Sequence, residues 1–206
     1  MTSKGRADPR TLLAWSALAM AIAVPLVAAA FSPLLAWRQP VYIVAGFAGI
    51  AAMALLLVQP LLIGNYIPGL SALRARRLHR AVGVTLVAAV LVHVAGLWVT
   101  SPPDVVDVLL FRSPTPFSLW GAIAMWAVFA AALIAALRGK VALRPRTWRL
   151  VHMGLAALTV LCSALHAVLI EGTMETVSKL ALCGLAILAT AKLAYDLRVW
   201  VLRPRS

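Results

Sequence analysis

The chain has 206 residues, 63% of them apolar and only 12% charged, with a net charge of +13. About a quarter of a soluble domain is charged, so this composition excludes one. The basic excess is parcelled into short segments between apolar runs, which points to membrane topology rather than to a nucleic-acid-binding patch.

The first apolar run, about 11–36, follows the basic start "MTSKGRADPR". A basic stretch, an apolar run and small residues together resemble a secretory leader, but the run is longer than a leader core. It is therefore expected to be a retained helix behind a tail at 1–10. Further apolar runs cover about 41–64, 78–100, 118–137, 148–170 and 178–201, and a short tail follows at 202–206. Each is close to the roughly 20 residues needed to cross about 30 Å of hydrocarbon. The runs are continuous rather than alternating, which argues against a closed β-barrel. The expected fold class is all-α: a polytopic helix bundle with six transmembrane helices, forming a single domain over 1–206.

Charge orients the bundle. Of the 19 basic residues, 16 fall on one side: at the N-terminus, between the second and third runs (Arg74, Arg76, Arg77, Arg80), between the fourth and fifth (Arg138, Lys140, Arg144, Arg146, Arg149), and at the end of the sixth. The other side holds Arg38, Arg112 and Lys179, with Asp104, Asp107, Glu171 and Glu175. The positive-inside rule then predicts N-in/C-in topology, in a multi-pass protein of the cell inner membrane whose basic loops meet lipid headgroups. The outer loop "SPPDVVDVLLFRSPTPF" is expected to lie along the membrane surface at its centre. Cys162 and Cys183 fall inside spans and read as small apolar fillers.

Four histidines break the apolar pattern: His79 and His93 in the third span, His152 and His166 in the fifth. Within each span they are fourteen residues apart, a rise of about 21 Å and a turn within about 40° of four full revolutions. Each pair thus shares one helix face, one histidine near each membrane surface. The two spans run in the same direction, so if their histidine faces meet, His79 comes level with His152 and His93 with His166. Facing imidazoles on parallel helices suit axial ligation of haem iron. Without a C-x-x-C-H motif, such a haem would be b-type. The small residues Gly83, Ala89, Ala156 and Ser163 would leave room, with Val82, Leu86, Leu155 and Thr159 on macrocycle edges. Zinc fits poorly, because each level offers two nitrogens where three or four protein ligands are usual. A proton relay lacks a central carboxylate. On the residues alone, a small transporter or a structural subunit whose histidines only brace helices stays open.

The "RRLHRAVG" and "LVHVAGLW" segments, the Leu-His-Arg at 78–80, the "WRLVH" at 148–152 and the two matched intervals resemble the ferric reductase-like transmembrane domain superfamily, over roughly residues 45–195. The resemblance implies two haems b, one per leaflet, on His79 with His152 and on His93 with His166. In length the chain is similar to short bacterial members such as the haem subunit of the periplasmic methionine sulfoxide reductase system. In that subunit the ligand at the position of His79 is expected to be replaced, so a histidine there favours two complete sites. Arg77, Arg80 and Arg149, with Arg76, lie within about a turn of the first pair. There they would neutralise haem propionates or dock an acidic donor, although inside-positive anchoring accounts for most of them. Trp148 and Trp98 read as interfacial tryptophans. The chain has no G-x-G-x-x-G, so no FAD or FMN site is expected on it. The function implied is an oxidoreductase component that passes electrons from a separate flavoprotein reductase or quinol to an outer-face redox partner or small acceptor.

Overall fold

The computed structural model describes residues 8–140 and 144–202. Lys4 and Arg6 of the N-terminal tail, and Arg203 and Arg205 of the C-terminal one, lie outside the described residues. The described chain is helical: α1 (Pro9–Ala30), a 3-10 turn (Pro33–Leu35), α2 (Pro40–Ile63), α3 (Ala72–Thr100), α4 (Pro102–Leu109), α5 (Pro116–Ala136), α6 (Pro145–Leu169) and α7 (Thr176–Leu202). All but α4 are long and apolar enough to cross a membrane. Six crossings put both ends of the described chain on one side, called here the terminal side, and the opposite one the distal side.

Local chemistry sets the boundaries. Five helices carry proline in the first turn, where the missing N–H costs nothing. The Asp8 carboxylate accepts from the Arg10 amide at 3.2 Å, so α1 begins inside the expected tail at 1–10. It also ends at Ala30 rather than near 36, because Ser32 and Pro33 divert the chain into the 3-10 turn. The Ser71 hydroxyl caps α3 at the Arg74 amide, 3.5 Å. That starts α3 six residues before the apolar run and makes the Arg74–Arg80 segment about two helical turns rather than a loop. At the distal end of α7, Glu175 accepts from the Val177 and Ser178 amides, each at 2.7 Å. The distal loop between α3 and α5 forms the short helix α4, which buries Val105 and leaves Asp104 and Asp107 exposed.

The helices assemble as two antiparallel hairpins. The first pairs α2 with α3 and the second pairs α5 with α6; α7 packs on α2 and α6, and α1 leans on α2 and α7. By contrast, α3 and α6, which run parallel, make no extensive backbone contact. Met53 and Leu57 of α2, Leu86 of α3, Val128 of α5, Val160 of α6 and Leu182 of α7 form the buried core. The remaining large apolar side chains, such as Leu13, Val84, Leu133 and Leu188, lie exposed on the outside of the bundle. Lipid is the solvent that accounts for such a surface.

Candidate functional site

The two hairpins turn α3 and α6 towards each other, and the histidines meet level by level. The ring centres of His79 and His152 are 6.5 Å apart with planes at 74°. Those of His93 and His166 are also 6.5 Å apart, at 81°. The pairing expected from the fourteen-residue interval is therefore present on both levels, with Leu86 and Thr159 buried between them.

The backs of the distal rings are tethered. Nδ1–H of His93 donates to the Ala45 carbonyl at 2.7 Å, and Nδ1–H of His166 donates to the Phe117 carbonyl at 2.8 Å. A carbonyl can only accept, so the proton sits on Nδ1 and the Nε2 lone pair is free. Gly49 and Gly121 make these tethers possible. They stand one turn beyond Ala45 and Phe117, and a Cβ on them would come within 3.0 Å and 2.7 Å of the respective Nδ1 atoms. The ring of Phe117 also stands edge-on to His166, 5.8 Å between centres. The same device is thus built twice, by α2 for α3 and by α5 for α6.

The terminal-side pair is held differently. The Gln59 side-chain amide is wedged between His79 and Gly83 and touches Nδ1 of His79. In the orientation that suits its other neighbours, the amide nitrogen donates to Nδ1 and to the His79 carbonyl (3.2 Å) while the oxygen accepts from the Gly83 amide (3.0 Å), so freeing Nε2 of His79 for a ligand requires the amide to turn. Nδ1 of His152 is buried and has no hydrogen-bond partner; the Ala131 carbonyl is nearby but not in bonding geometry. Instead, the ring lies flat on Trp148, 5.1 Å between centres and 8° between planes, as the i,i+4 spacing on α6 allows. Trp148 in turn donates from Nε1 to the Ile134 carbonyl at 3.4 Å and carries the Arg138 guanidinium 4.2 Å above its ring.

Do these residues fit a haem? Aromatic pairs in direct contact span about 4.5–7 Å, so the separation alone decides little. A direct hydrogen bond between imidazoles would bring ring centres to about 5 Å, and none is made. Two metal–imidazole bonds of about 2 Å, plus about 1 Å from each nitrogen to its ring centre, place the centres about 6 Å apart. With Nδ1 anchored and Nε2 free on the distal rings, the terminal-side rings facing each other in the same way, and parallel helices held off each other, the donor set fits an iron between each pair, provided the Gln59 amide turns at the terminal level. Among the described residues no three His, Cys, Asp or Glu side chains converge, so no protein-only metal site competes.

Arg77, Arg80 and Arg149 are exposed on the terminal side. Among the described residues the only ion pair is Lys192 with Asp196, 2.9 Å, so these three arginines have no acidic partner there. On the distal side Glu175 is occupied capping α7, and the two amides it accepts from hold its carboxyl below the usual range. Lys179 is buried and donates to the Ile170 carbonyl at 3.0 Å, closing the end of α6.

The sequence pattern pointed to the four histidines but not to what holds them. Ala45, Gly49, Phe117, Gly121 and Gln59 lie on the partner helices, and Trp148 reads in sequence as an interfacial residue. The one available signal was the glycine in each of α2 and α5, Gly49 and Gly121, and such glycines are common in membrane helices.

A family model described as the ferric reductase like transmembrane component matches residues 45–163, more than half of the chain. The match contains His79, His93 and His152 and ends just before His166. No curated protein and no solved structure gives a match.

Proposed function

Since this chain belongs to the ferric reductase-like transmembrane component family, a class of membrane electron-transfer components, we propose that it conducts electrons across the bilayer on two b-type haems. His79 and His152 hold one and His93 and His166 the other. The observation that carries this reading is that histidines of two parallel helices face each other at two levels fourteen residues apart, without bonding each other, and that both distal rings turn Nε2 free by donating Nδ1–H to a carbonyl. Bound haem iron would supply reversible one-electron carriage.

The remaining work belongs to the protein. The Ala45 and Phe117 carbonyls hold the distal imidazoles in the tautomer that presents Nε2. Leu86, Thr159 and Val160 keep the space between the levels dry. Arg77, Arg80 and Arg149, which have no acidic partner among the described residues, neutralise propionates and attract an acidic donor protein on the terminal side, read as cytoplasmic. The donor is a separate flavoprotein or a quinol, and the acceptor is taken up at the opposite face. Both termini are then cytoplasmic and the bundle sits in the inner membrane.

Detergent-purified protein from haem-replete cells should show a Soret band and two haems per chain. His79→Ala and His93→Ala should each remove one redox wave. A colourless preparation would refute the reading.

A further inference from the structure

We propose that the terminal-side pair forms the more easily reduced of the two centres, and that Trp148 is the positioning residue that makes it so by holding His152 in a stack under Arg138. The inference rests on the haem reading above and concerns what distinguishes its two levels.

The distinction is in the ligand supports. Both distal imidazoles donate Nδ1–H to a main-chain carbonyl. That bond raises ligand basicity, which favours the oxidised metal. Neither terminal-side imidazole makes such a bond in good geometry: His79 meets the Gln59 side-chain amide, with the Gln59 carbonyl nearby, and the Ala131 carbonyl lies near His152 without bonding it. A ligand without that bond donates less charge, and the iron it holds takes up an electron more readily.

Charge acts in the same direction. The Arg138 guanidinium lies over Trp148 and Trp148 lies flat on His152, so one indole ring contacts both the cation and the imidazole. Arg77, Arg80 and Arg149 are on the same side. The distal side carries Arg38, Arg112 and Lys179, the last committed to the Ile170 carbonyl, together with the acids Asp104, Asp107, Glu171 and Glu175. An added electron is stabilised where positive charge is denser.

The stack also explains how His152 keeps one orientation without a hydrogen bond. Trp148 is pinned by its own bond to Ile134 on α5, and the histidine ring inherits that alignment. A tryptophan present only as an interfacial anchor would leave the haem spectra indifferent to its replacement.

The test is a potentiometric titration of the full-length protein in detergent, followed by visible and low-temperature electron paramagnetic resonance spectra. His93→Ala should retain the higher of the two wild-type waves and His79→Ala the lower. Trp148→Leu should lower the higher wave and alter one low-spin signal while the other stays in place. Trp148→Phe, which can still stack, should restore both. The proposal is overturned if the wave moved by Trp148→Leu is the lower one, or if both or neither move. The Trp148 variants decide the matter even if His93→Ala fails to assemble. Absence of haem from the wild-type protein would be a different result, ending the functional reading itself.

Discussion

Gly121 of α5 lies so close to His166 of α6 that a Cβ would stand 2.7 Å from Nδ1, with the ring backed onto the Phe117 carbonyl. An imidazole is rigid and cannot yield as a flexible chain end would. Gly121→Ala should push His166 out of line, with an overpacking cost of about 1–3 kcal/mol. Gly49→Ala meets His93 at 3.0 Å and should do less. Haem content by pyridine haemochrome, with thermal melting in detergent, checks both. Equal and full haem loading of the two variants would contradict this geometry.

Gln59 meets Nδ1 of His79; its amide nitrogen donates there while its oxygen accepts from the Gly83 amide, and only the turned amide would accept from Nδ1–H. Gln59→Leu keeps the bulk and removes the partner. Loss of such an outer partner typically weakens metal affinity about 10–100-fold. Haem transfer to apomyoglobin should therefore speed up for the terminal-side haem only, and Gln59→Glu should slow it again.

Glu175 supports α7 by accepting two amide hydrogens, and those bonds hold its carboxyl below its ordinary value. A depressed folded value stabilises the fold above the unfolded pKa, about 4.3, and the benefit disappears as pH falls through the lower folded value. Melting temperature between pH 6 and pH 3 should therefore fall less in Glu175→Gln than in the wild type. Parallel curves would show that the cap contributes nothing.

The sidedness can be read by labelling, since Cys162 and Cys183 are both buried. Arg112→Cys and Gly139→Cys lie on opposite faces of the bundle and both sites are exposed. In right-side-out vesicles an impermeant maleimide should modify the first and spare the second. The opposite pattern would reverse the assignment of donor and acceptor faces.

The six crossings and the histidine levels were legible in the sequence for the same reason. Hydrocarbon forces long continuous apolar runs, and a helix converts a fourteen-residue interval into a shared face. The capping chemistry was legible too late: Ser71 and Asp8 start their helices outside the apolar runs, where hydropathy carries no signal. The parallel course of α3 and α6 followed from counting crossings, which is why His79 and His93 could be matched to His152 and His166 by level.

By itself, then, the sequence determined that the chain is a membrane helix bundle with two histidines at each of two depths. Only the tertiary structure decided that Ala45 and Phe117 turn the distal rings, that Gly49 and Gly121 let those rings close against the neighbouring helix, and that His152 rests on Trp148 instead. Periodicity describes one helix at a time and carries no information about its rotation against another. That rotation comes from packing α2 on α3 and α5 on α6, and it selects which carbonyl, glycine or aromatic face each imidazole finds behind it.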